Sequence, residues 1–178
     1  MNIGELDYRH LWHPYTKFST WADGPLPLIT RGRGIYLYDA EGTRYLDAVS
    51  SWWACALGHG DPRIITAIQK QANELQHSIL GNLSHGPAVE LAAALAGLMP
   101  SPERHVLFAS DGAGAVEAAL KIALQYRHNT GRPRPRFASL ADSYHGDTLG
   151  SVSVGYLKHF HAPYDSVVFP VYRAAPRD

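Results

Sequence analysis

The sequence predicts an α/β protein, in which a small α+β lobe is followed by the start of a mostly parallel sheet with flanking helices. Three patterns predict this class. Short strand-like segments fill residues 26–46, an apolar run leads through a glycine turn into a helix at His105–Lys121, and another strand pattern follows at Phe137–Leu140. Since strand, helix and strand in this order need a crossover, we expect the later strands to be parallel.

The composition of the 178 residues indicates a protein that binds a small ligand. Sixteen basic and sixteen acidic residues cancel, so no charge pattern favours nucleic acid or an anionic membrane. Cys55 is the single cysteine, which excludes an internal disulfide and paired-cysteine zinc motifs. The sequence has neither a secretory leader pattern nor an apolar run of about 20 residues, so we expect a cytoplasmic protein.

The first 60 residues predict the small lobe. Residues 1–25 are rich in aromatic side chains and broken by prolines, which favours a segment that lies across a surface. A β-meander follows, with a turn at Asp39–Gly42. Its strands are predicted at Leu26–Thr30, Gly34–Tyr38 and Arg44–Leu46.

Residues 61–178 predict the first part of a larger domain. Asp61 and Pro62 supply an N-cap and a proline at the first helical position, so a helix is expected to start there. The predicted helices are Pro62–His77, Gly86 to about Met99, and Ala115–His128, and the strand patterns are His105–Ala109, Phe137–Leu140 and Val167–Phe169.

The glycine turn Ser110–Gly114 lies between a predicted buried strand and a helix. The first amides of a helix have no intrahelical partner and sit at the positive end of its dipole, so this order can build a phosphate site. An ordinary tight turn between a strand and a helix explains the same residues equally well.

Three known phosphate-binding arrangements contain a glycine turn of this kind. A Walker loop needs lysine and a hydroxyl residue after the last glycine, but Ala115 and Val116 stand there. A dinucleotide site needs a third glycine near Glu117, although Asp142 after the next strand keeps this alternative open. A phosphate cup for pyridoxal phosphate uses the same amides without a third glycine.

Two aromatic segments add candidate binding residues. Tyr144–Asp147 follows a predicted parallel strand, where the ring of Tyr144 can lie against a flat cofactor. The alternative is that this segment is an ordinary polar turn. In an extended segment Trp52 and Trp53 would point to opposite faces, so one is expected to line a pocket; packing of both rings is the alternative. His159 and His161 lack the further ligands expected of a metal site.

Four segments together resemble the class III, fold-type I aminotransferases, which use pyridoxal 5′-phosphate: Leu11–Thr16, Ser50–Ala54, Ser110–Lys121 and Tyr144–Thr148. The Trp-His-Pro-Tyr opening and the Trp-Trp doublet are similar to the branch of this family that acts in biotin biosynthesis. This resemblance implies a homodimer that transfers an amino group from S-adenosylmethionine to 8-amino-7-oxononanoate.

The resemblance also implies roles for individual residues. Two supply main-chain amides to the cofactor phosphate, one stacks on the cofactor's pyridine ring, three shape the substrate pocket, and one is a polar group near the substrate amine or the loop that holds it. In that order they are Gly112 and Ala113; Tyr144; Tyr15, Trp52 and Trp53; and Asp147. Family members commonly have serine in place of Ala113, so one contact to the phosphate is missing, worth about 1.5–3 kcal/mol.

The resemblance assigns no catalytic residue to this chain. Aminotransferases need a lysine that binds the cofactor covalently, and none of Lys17, Lys70, Lys121 and Lys158 matches its place. We therefore expect the N-terminal portion of such an enzyme, inactive by itself. Three alternatives stay open: another class III aminotransferase, a nucleotide-binding α/β enzyme, and a non-catalytic half that binds a phosphorylated ligand or a partner.

Overall fold

The computed structural model describes residues 2–19, 26–101 and 104–175, which fall into two compact units. The first unit is Met1–His85 and the second is Gly86–Asp178. This boundary does not coincide with the predicted one between residues 60 and 61. The helix that begins at Pro62 therefore belongs to the first unit, in which His59 forms an antiparallel bridge with Gly34. The predicted surface segment extends into residues 20–25, which lie outside the described residues.

The first unit contains the predicted antiparallel meander. After helix α1 (Ile3–His10), strands β1 (Ile29–Arg33), β2 (Tyr36–Asp39) and β3 (Arg44–Leu46) pair in the order β1-β2-β3. The third strand has its predicted bounds, whereas β1 and β2 begin and end later than predicted. A register shift between Ile29 and Arg31 accompanies this displacement, because a bulge adds a residue that the alternation of side chains does not reveal.

A buried carboxylate fixes the turn between β2 and β3. Asp39 accepts hydrogen bonds from the Thr43 amide at 2.7 Å and from the Tyr45 hydroxyl at 2.8 Å. Burial by itself raises the pKa of Asp39, but the hydrogen bonds from Tyr45 and Thr43 outweigh it and hold the pKa below 3.8. Gly42 has a φ of +85°, which a glycine adopts readily.

Two helices follow, one in each unit. Helix α2 (Pro62–Glu74) begins where the capping signal predicted, with the Asp61 carboxylate accepting from the Arg63 amide at 2.9 Å. It ends three residues before the predicted His77, since Leu75 is already extended. Helix α3 spans Gly86–Gly97.

The second unit carries the parallel strands. Helix α4 (Gly112–Asn129) leads to β4 (Phe137–Leu140), which has its predicted bounds. Helix α5 (Leu149–Val154), the single turn α6 (Lys158–His161) and a 3₁₀ turn (Ala162–Tyr164) come before β5 (Val171–Ala174). Strands β4 and β5 pair in parallel, as expected. The last strand lies at Val171–Ala174 rather than at the predicted Val167–Phe169.

The prediction of a buried strand at His105–Ala109 was wrong. In the part of the chain that the structure describes, no backbone hydrogen bond joins this segment to a neighbouring strand. Leu107 is 67% exposed, so the apolar run is not covered. A strand needs a hydrogen-bonded neighbour as well as a suitable local pattern, and the neighbour is what the segment lacks here.

Four consecutive buried residues of the second unit lie on α5, at Ser151–Val154. The guanidinium of Arg173 on β5 holds this helix by donating hydrogen bonds to the carbonyls of Ser153 and Val154 and to the Ser139 hydroxyl. A cation at the C-terminus of a helix satisfies its last carbonyls and opposes the negative end of its dipole. Arg173 therefore links α5 to both parallel strands.

Within residues 2–19, 26–101 and 104–175, no helix combines the length and the hydrophobicity needed to cross a membrane.

Replacing Arg173 by methionine should destabilise the second unit. The change keeps most of the apolar stem but removes all three hydrogen bonds, and we expect a loss of about 1.5–3 kcal/mol in the free energy of unfolding. Urea denaturation followed by circular dichroism measures this loss. Arg134→Met is the matched control, because Arg134 is exposed. Equal midpoints for both variants would contradict the role of Arg173.

Candidate functional site

A cleft of about 730 Å³ opens in the second unit between the start of α4 and the loop that follows β4. Open parallel sheets place their ligands at the carboxyl ends of the strands, and this loop leaves β4 at that end. The lining residues are Asp111, Gly112, Ala113, Val116, Tyr144, His145, Gly146, Asp147 and Thr148. They include both predicted segments, the glycine turn and Tyr144–Asp147.

The glycine turn belongs to the helix itself. Helix α4 begins at Gly112 rather than at the predicted Ala115, because Asp111 acts as its N-cap. The Asp111 carboxylate accepts a hydrogen bond from the Gly114 amide at 2.6 Å, and the backbone carbonyl of Asp111 accepts one from the Ala115 amide at 3.0 Å. The amides of Gly112 and Ala113 find no acceptor among the described residues. These are the two amides predicted to bind the phosphate.

Tyr144 and Asp147 lie together on the opposite side of the cleft. The Tyr144 hydroxyl donates to Asp147 Oδ2 at 2.6 Å, and the Tyr144 side chain is 57% exposed. The loop reaches the helix because Gly146 has no side chain: a β-carbon there would lie 2.5 Å from that of Ala113. With a φ of +117°, Gly146 also adopts a backbone conformation that other residues avoid.

Glu117 holds the two sides of the cleft together, a role that sequence reasoning missed. Its carboxylate accepts from the Thr148 hydroxyl at 2.5 Å and from the Gly150 amide at 2.8 Å. In the sequence analysis Glu117 mattered only because it stands where the dinucleotide-binding motif needs its third glycine. Its partners lie 31 and 33 residues away, so no local pattern could identify them. The tether also weakens the dinucleotide alternative, since it fills the place where that motif needs a glycine.

A buried histidine packs near Asp147 in the loop that follows β4. His161 is 3% exposed, and its Nδ1 accepts from the Leu157 amide at 2.9 Å. That bond leaves its Nε2 facing Asp147 Oδ1, at 3.8 Å. His161 is therefore a structural partner of the loop. Among the residues with described positions, no group of three or more acidic, histidine or cysteine side chains could hold a metal ion.

The other three predicted site residues lie in the first unit. The rings of Tyr15 and Trp52 meet edge to face, with centroids 5.2 Å apart and planes at 83°. Trp52 and Trp53 are 56% and 80% exposed, so neither packs into a core. The expectation that they form an extended segment was wrong: residues 50–53 all have positive φ and form a left-handed turn.

The cleft fits a planar phosphorylated ligand. Unpartnered amides at a helix start can bind a phosphate, and the exposed Tyr144 ring can lie against an aromatic system. The Asp111 carboxylate would repel a phosphate, but it already accepts from the Gly114 amide. The fold and this site together are typical of the α/β proteins that bind pyridoxal phosphate.

Comparison with known proteins agrees with this class. The sequence profile described as aminotransferase class III matches residues 18–178, and the chain belongs to this family. The adenosylmethionine-8-amino-7-oxononanoate aminotransferase of Synechococcus elongatus is 43% identical over 91% of this chain. The chain covers 38% of that relative's length.

Solved structures give the same fold. The adenosylmethionine-8-amino-7-oxononanoate aminotransferase of Methanocaldococcus jannaschii matches 97% of this chain with a TM-score of 0.91 and 40% identity. The omega transaminase of Pseudomonas jessenii, solved with PMP, matches 99% with a TM-score of 0.90 and 30% identity. The chain covers 40% and 39% of those two structures. These matches confirm the fold-type I prediction.

The variant Ala113→Ser should bind pyridoxamine 5′-phosphate more tightly than the unmodified chain. A serine hydroxyl at the start of α4 adds a hydrogen bond to the phosphate, worth about 1.5–3 kcal/mol, which corresponds to about a tenfold to hundredfold lower Kd. Calorimetric titration measures the change. Ala115→Ser is the control, because Ala115 is exposed and does not line the cleft. An unchanged Kd for Ala113→Ser would place the phosphate elsewhere.

The variant Glu117→Ala should weaken binding of the same ligand without removing any group that lines the cleft. Losing the carboxylate frees the Thr148 hydroxyl and the Gly150 amide, so the loop with Tyr144 is no longer held against α4. Because only a fraction of molecules then has the competent arrangement, we expect an increase in Kd of about tenfold for a competent fraction of about one tenth.

Hydrogen exchange distinguishes this effect from general unfolding. In Glu117→Ala the Gly150 amide should exchange faster, while β4 and β5 keep their protection. Glu90→Ala on helix α3 serves as a control for removing a helix carboxylate outside the cleft. Wild-type affinity in Glu117→Ala would show that the tether is dispensable.

Proposed function

We propose that this chain is the N-terminal part of a pyridoxal phosphate aminotransferase that moves an amino group from S-adenosylmethionine to 8-amino-7-oxononanoate. The observation that carries the proposal is the cleft, where the Gly112 and Ala113 amides and the exposed Tyr144 ring meet in a chain of the class III family. Relatives of that activity, 43% and 40% identical to this chain, support the choice of substrates.

Each side of the cleft has a separate task in this proposal. The amides of Gly112 and Ala113 bind the phosphate at the positive end of α4. Tyr144 stacks on the pyridine ring, and its hydroxyl is oriented by Asp147, which accepts its proton in a hydrogen bond. Asp147, whose Oδ1 faces His161 Nε2 at 3.8 Å, is a polar group near the substrate amine or the loop that holds it. When bound, pyridoxal phosphate supplies the electron sink that amino transfer needs.

Tyr15, Trp52 and Trp53 shape the substrate pocket in this proposal. Aromatic faces suit both substrates, since the adenine of S-adenosylmethionine can stack on a ring and the hydrocarbon chain of 8-amino-7-oxononanoate can lie along one. The exposure of Trp52 and Trp53 supports this role, because rings at the surface are open to a ligand.

The complete enzyme is proposed to be a cytoplasmic homodimer, in which a lysine outside these 178 residues performs the proton transfers. Lys121 does not replace it: this residue lies on α4, does not line the cleft and is exposed. The chain by itself is therefore proposed to bind cofactor without turning over substrate.

Titration of the purified chain tests the proposal. Pyridoxamine 5′-phosphate, which has no aldehyde to react with surface lysines, should bind, and inorganic phosphate should compete with it. With pyridoxal 5′-phosphate and S-adenosylmethionine, no amino transfer is expected, because none of Lys17, Lys70, Lys121 and Lys158 lines the cleft. Binding of a nicotinamide dinucleotide without pyridoxamine 5′-phosphate would favour the nucleotide-binding alternative. Turnover through a borohydride-trapped lysine adduct would contradict the predicted inactivity.

A further inference from the structure

The two tryptophans lie in a strained backbone segment. Ser50, Ser51, Trp52 and Trp53 have φ values of 50°, 49°, 60° and 67°, and the ψ values of Ser51 and Trp52 are 53° and 50°. This is one turn of left-handed helix built without glycine. L-residues avoid this conformation because their β-carbon lies too close to the following carbonyl oxygen. Four such residues in a row need support from outside the turn.

The Asp47 carboxylate supplies that support. Its Oδ1 accepts from the Ser51 amide at 2.9 Å, and its Oδ2 accepts from the Ser51 hydroxyl at 2.8 Å. The Asp47 side chain is 5% exposed. Hydrogen bonds from the Ser51 amide and hydroxyl, together with His59, lower the pKa of Asp47 below its usual value of 3.8. Asp47 is therefore ionised at neutral pH and accepts at both oxygens.

Asp47 is itself fixed to the meander. Its amide donates to the Ile35 carbonyl at 2.9 Å, and its Oδ2 lies 2.7 Å from Nε2 of His59. His59 exchanges two backbone hydrogen bonds with Gly34, at 2.7 and 2.9 Å. Its ring lies so close to Gly32 that a β-carbon there would be 2.6 Å away. The support thus runs from the sheet through His59 and Asp47 to Ser51.

This support acts directly beside the exposed rings. Ser51 precedes Trp52 in the chain, and the Trp53 amide closes the turn by donating to the Val49 carbonyl at 2.9 Å. If the turn relaxed to right-handed or extended backbone, the directions of both Cα–Cβ bonds would change. Trp52 would then also leave its edge-to-face contact with Tyr15.

We propose that Asp47 is a positioning residue for substrate recognition, which holds residues 50–53 in the left-handed turn and thereby sets the directions of Trp52 and Trp53. His59 acts with it by fixing the carboxylate to the meander. The link to substrate rests on the function proposed above, whereas the link between Asp47 and the two rings does not depend on it.

The test labels the full chain with 5-fluorotryptophan and records ¹⁹F NMR spectra, with the Trp52 and Trp53 signals assigned by Trp→Phe variants. In Asp47→Ala we expect these two signals to shift and broaden, while the signal of Trp12, which packs against Phe18, stays in place. Asp39→Ala is the matched control, because this buried aspartate also accepts from a backbone amide and a hydroxyl but at another turn. Unchanged Trp52 and Trp53 signals in Asp47→Ala would overturn the proposal.

Two further variants separate positioning from folding. Adding Ser51→Gly to Asp47→Ala should return the two signals toward their original positions, since glycine adopts the left-handed conformation without strain. If Asp47→Ala unfolds, Ser51→Ala decides the question: a shift confined to Trp52 and Trp53 supports the proposal, and no shift overturns it.

Titration with S-adenosylmethionine, after the chain is saturated with pyridoxamine 5′-phosphate, tests the link to substrate. The Trp52 and Trp53 signals should respond in the wild type, and a turn that is formed about one tenth of the time in Asp47→Ala would raise the apparent Kd about tenfold. Equal affinity in both proteins would overturn the substrate part of the proposal. If the wild type does not respond, the proposed substrate is wrong, while the variant spectra still decide the role of Asp47.

Discussion

The contact between Ala113 and Gly146 is the constraint on which the candidate site depends. A β-carbon on Gly146 would lie 2.5 Å from that of Ala113, so the loop and the start of α4 can meet only with glycine at this position. The close approach brings the Tyr144 ring to the same cleft as the amides of Gly112 and Ala113, which have no acceptor in the part of the chain that the structure describes. The candidate phosphate-binding amides and the candidate ring-binding surface therefore line one cleft, because glycine at position 146 leaves room for the close approach.

Carboxylates that accept from backbone amides fix the backbone around this site and in the first unit. Asp111 caps α4, and Glu117 binds the amide of Gly150 at the start of α5. In the first unit Asp39 binds the amide of Thr43, and Asp47 binds that of Ser51. A charged acceptor makes a stronger hydrogen bond than a neutral one, which suits backbone that no helix or ladder stabilises.

Local patterns predicted several elements closely and failed in informative ways elsewhere. Strands β3 and β4 have their predicted bounds, and Asp61 with Pro62 correctly marked the start of α2. The start of α4 was placed three residues late, because Gly112 and Gly114 look like a turn until the Asp111 cap is recognised. His105–Ala109 failed as a strand since pairing depends on a neighbour, which the local sequence does not describe.

The sequence by itself determined the family and the residue types at the cleft, because the motifs at Ser110–Lys121 and Tyr144–Thr148 are contiguous and their chemistry is local. Only the tertiary structure decided how these parts are held. Glu117 meets Gly150 across 33 residues, a contact that no periodicity encodes. The left-handed turn at Trp52 and Trp53 opposes local preference, and it exists because Asp47 and His59 hold it against the meander.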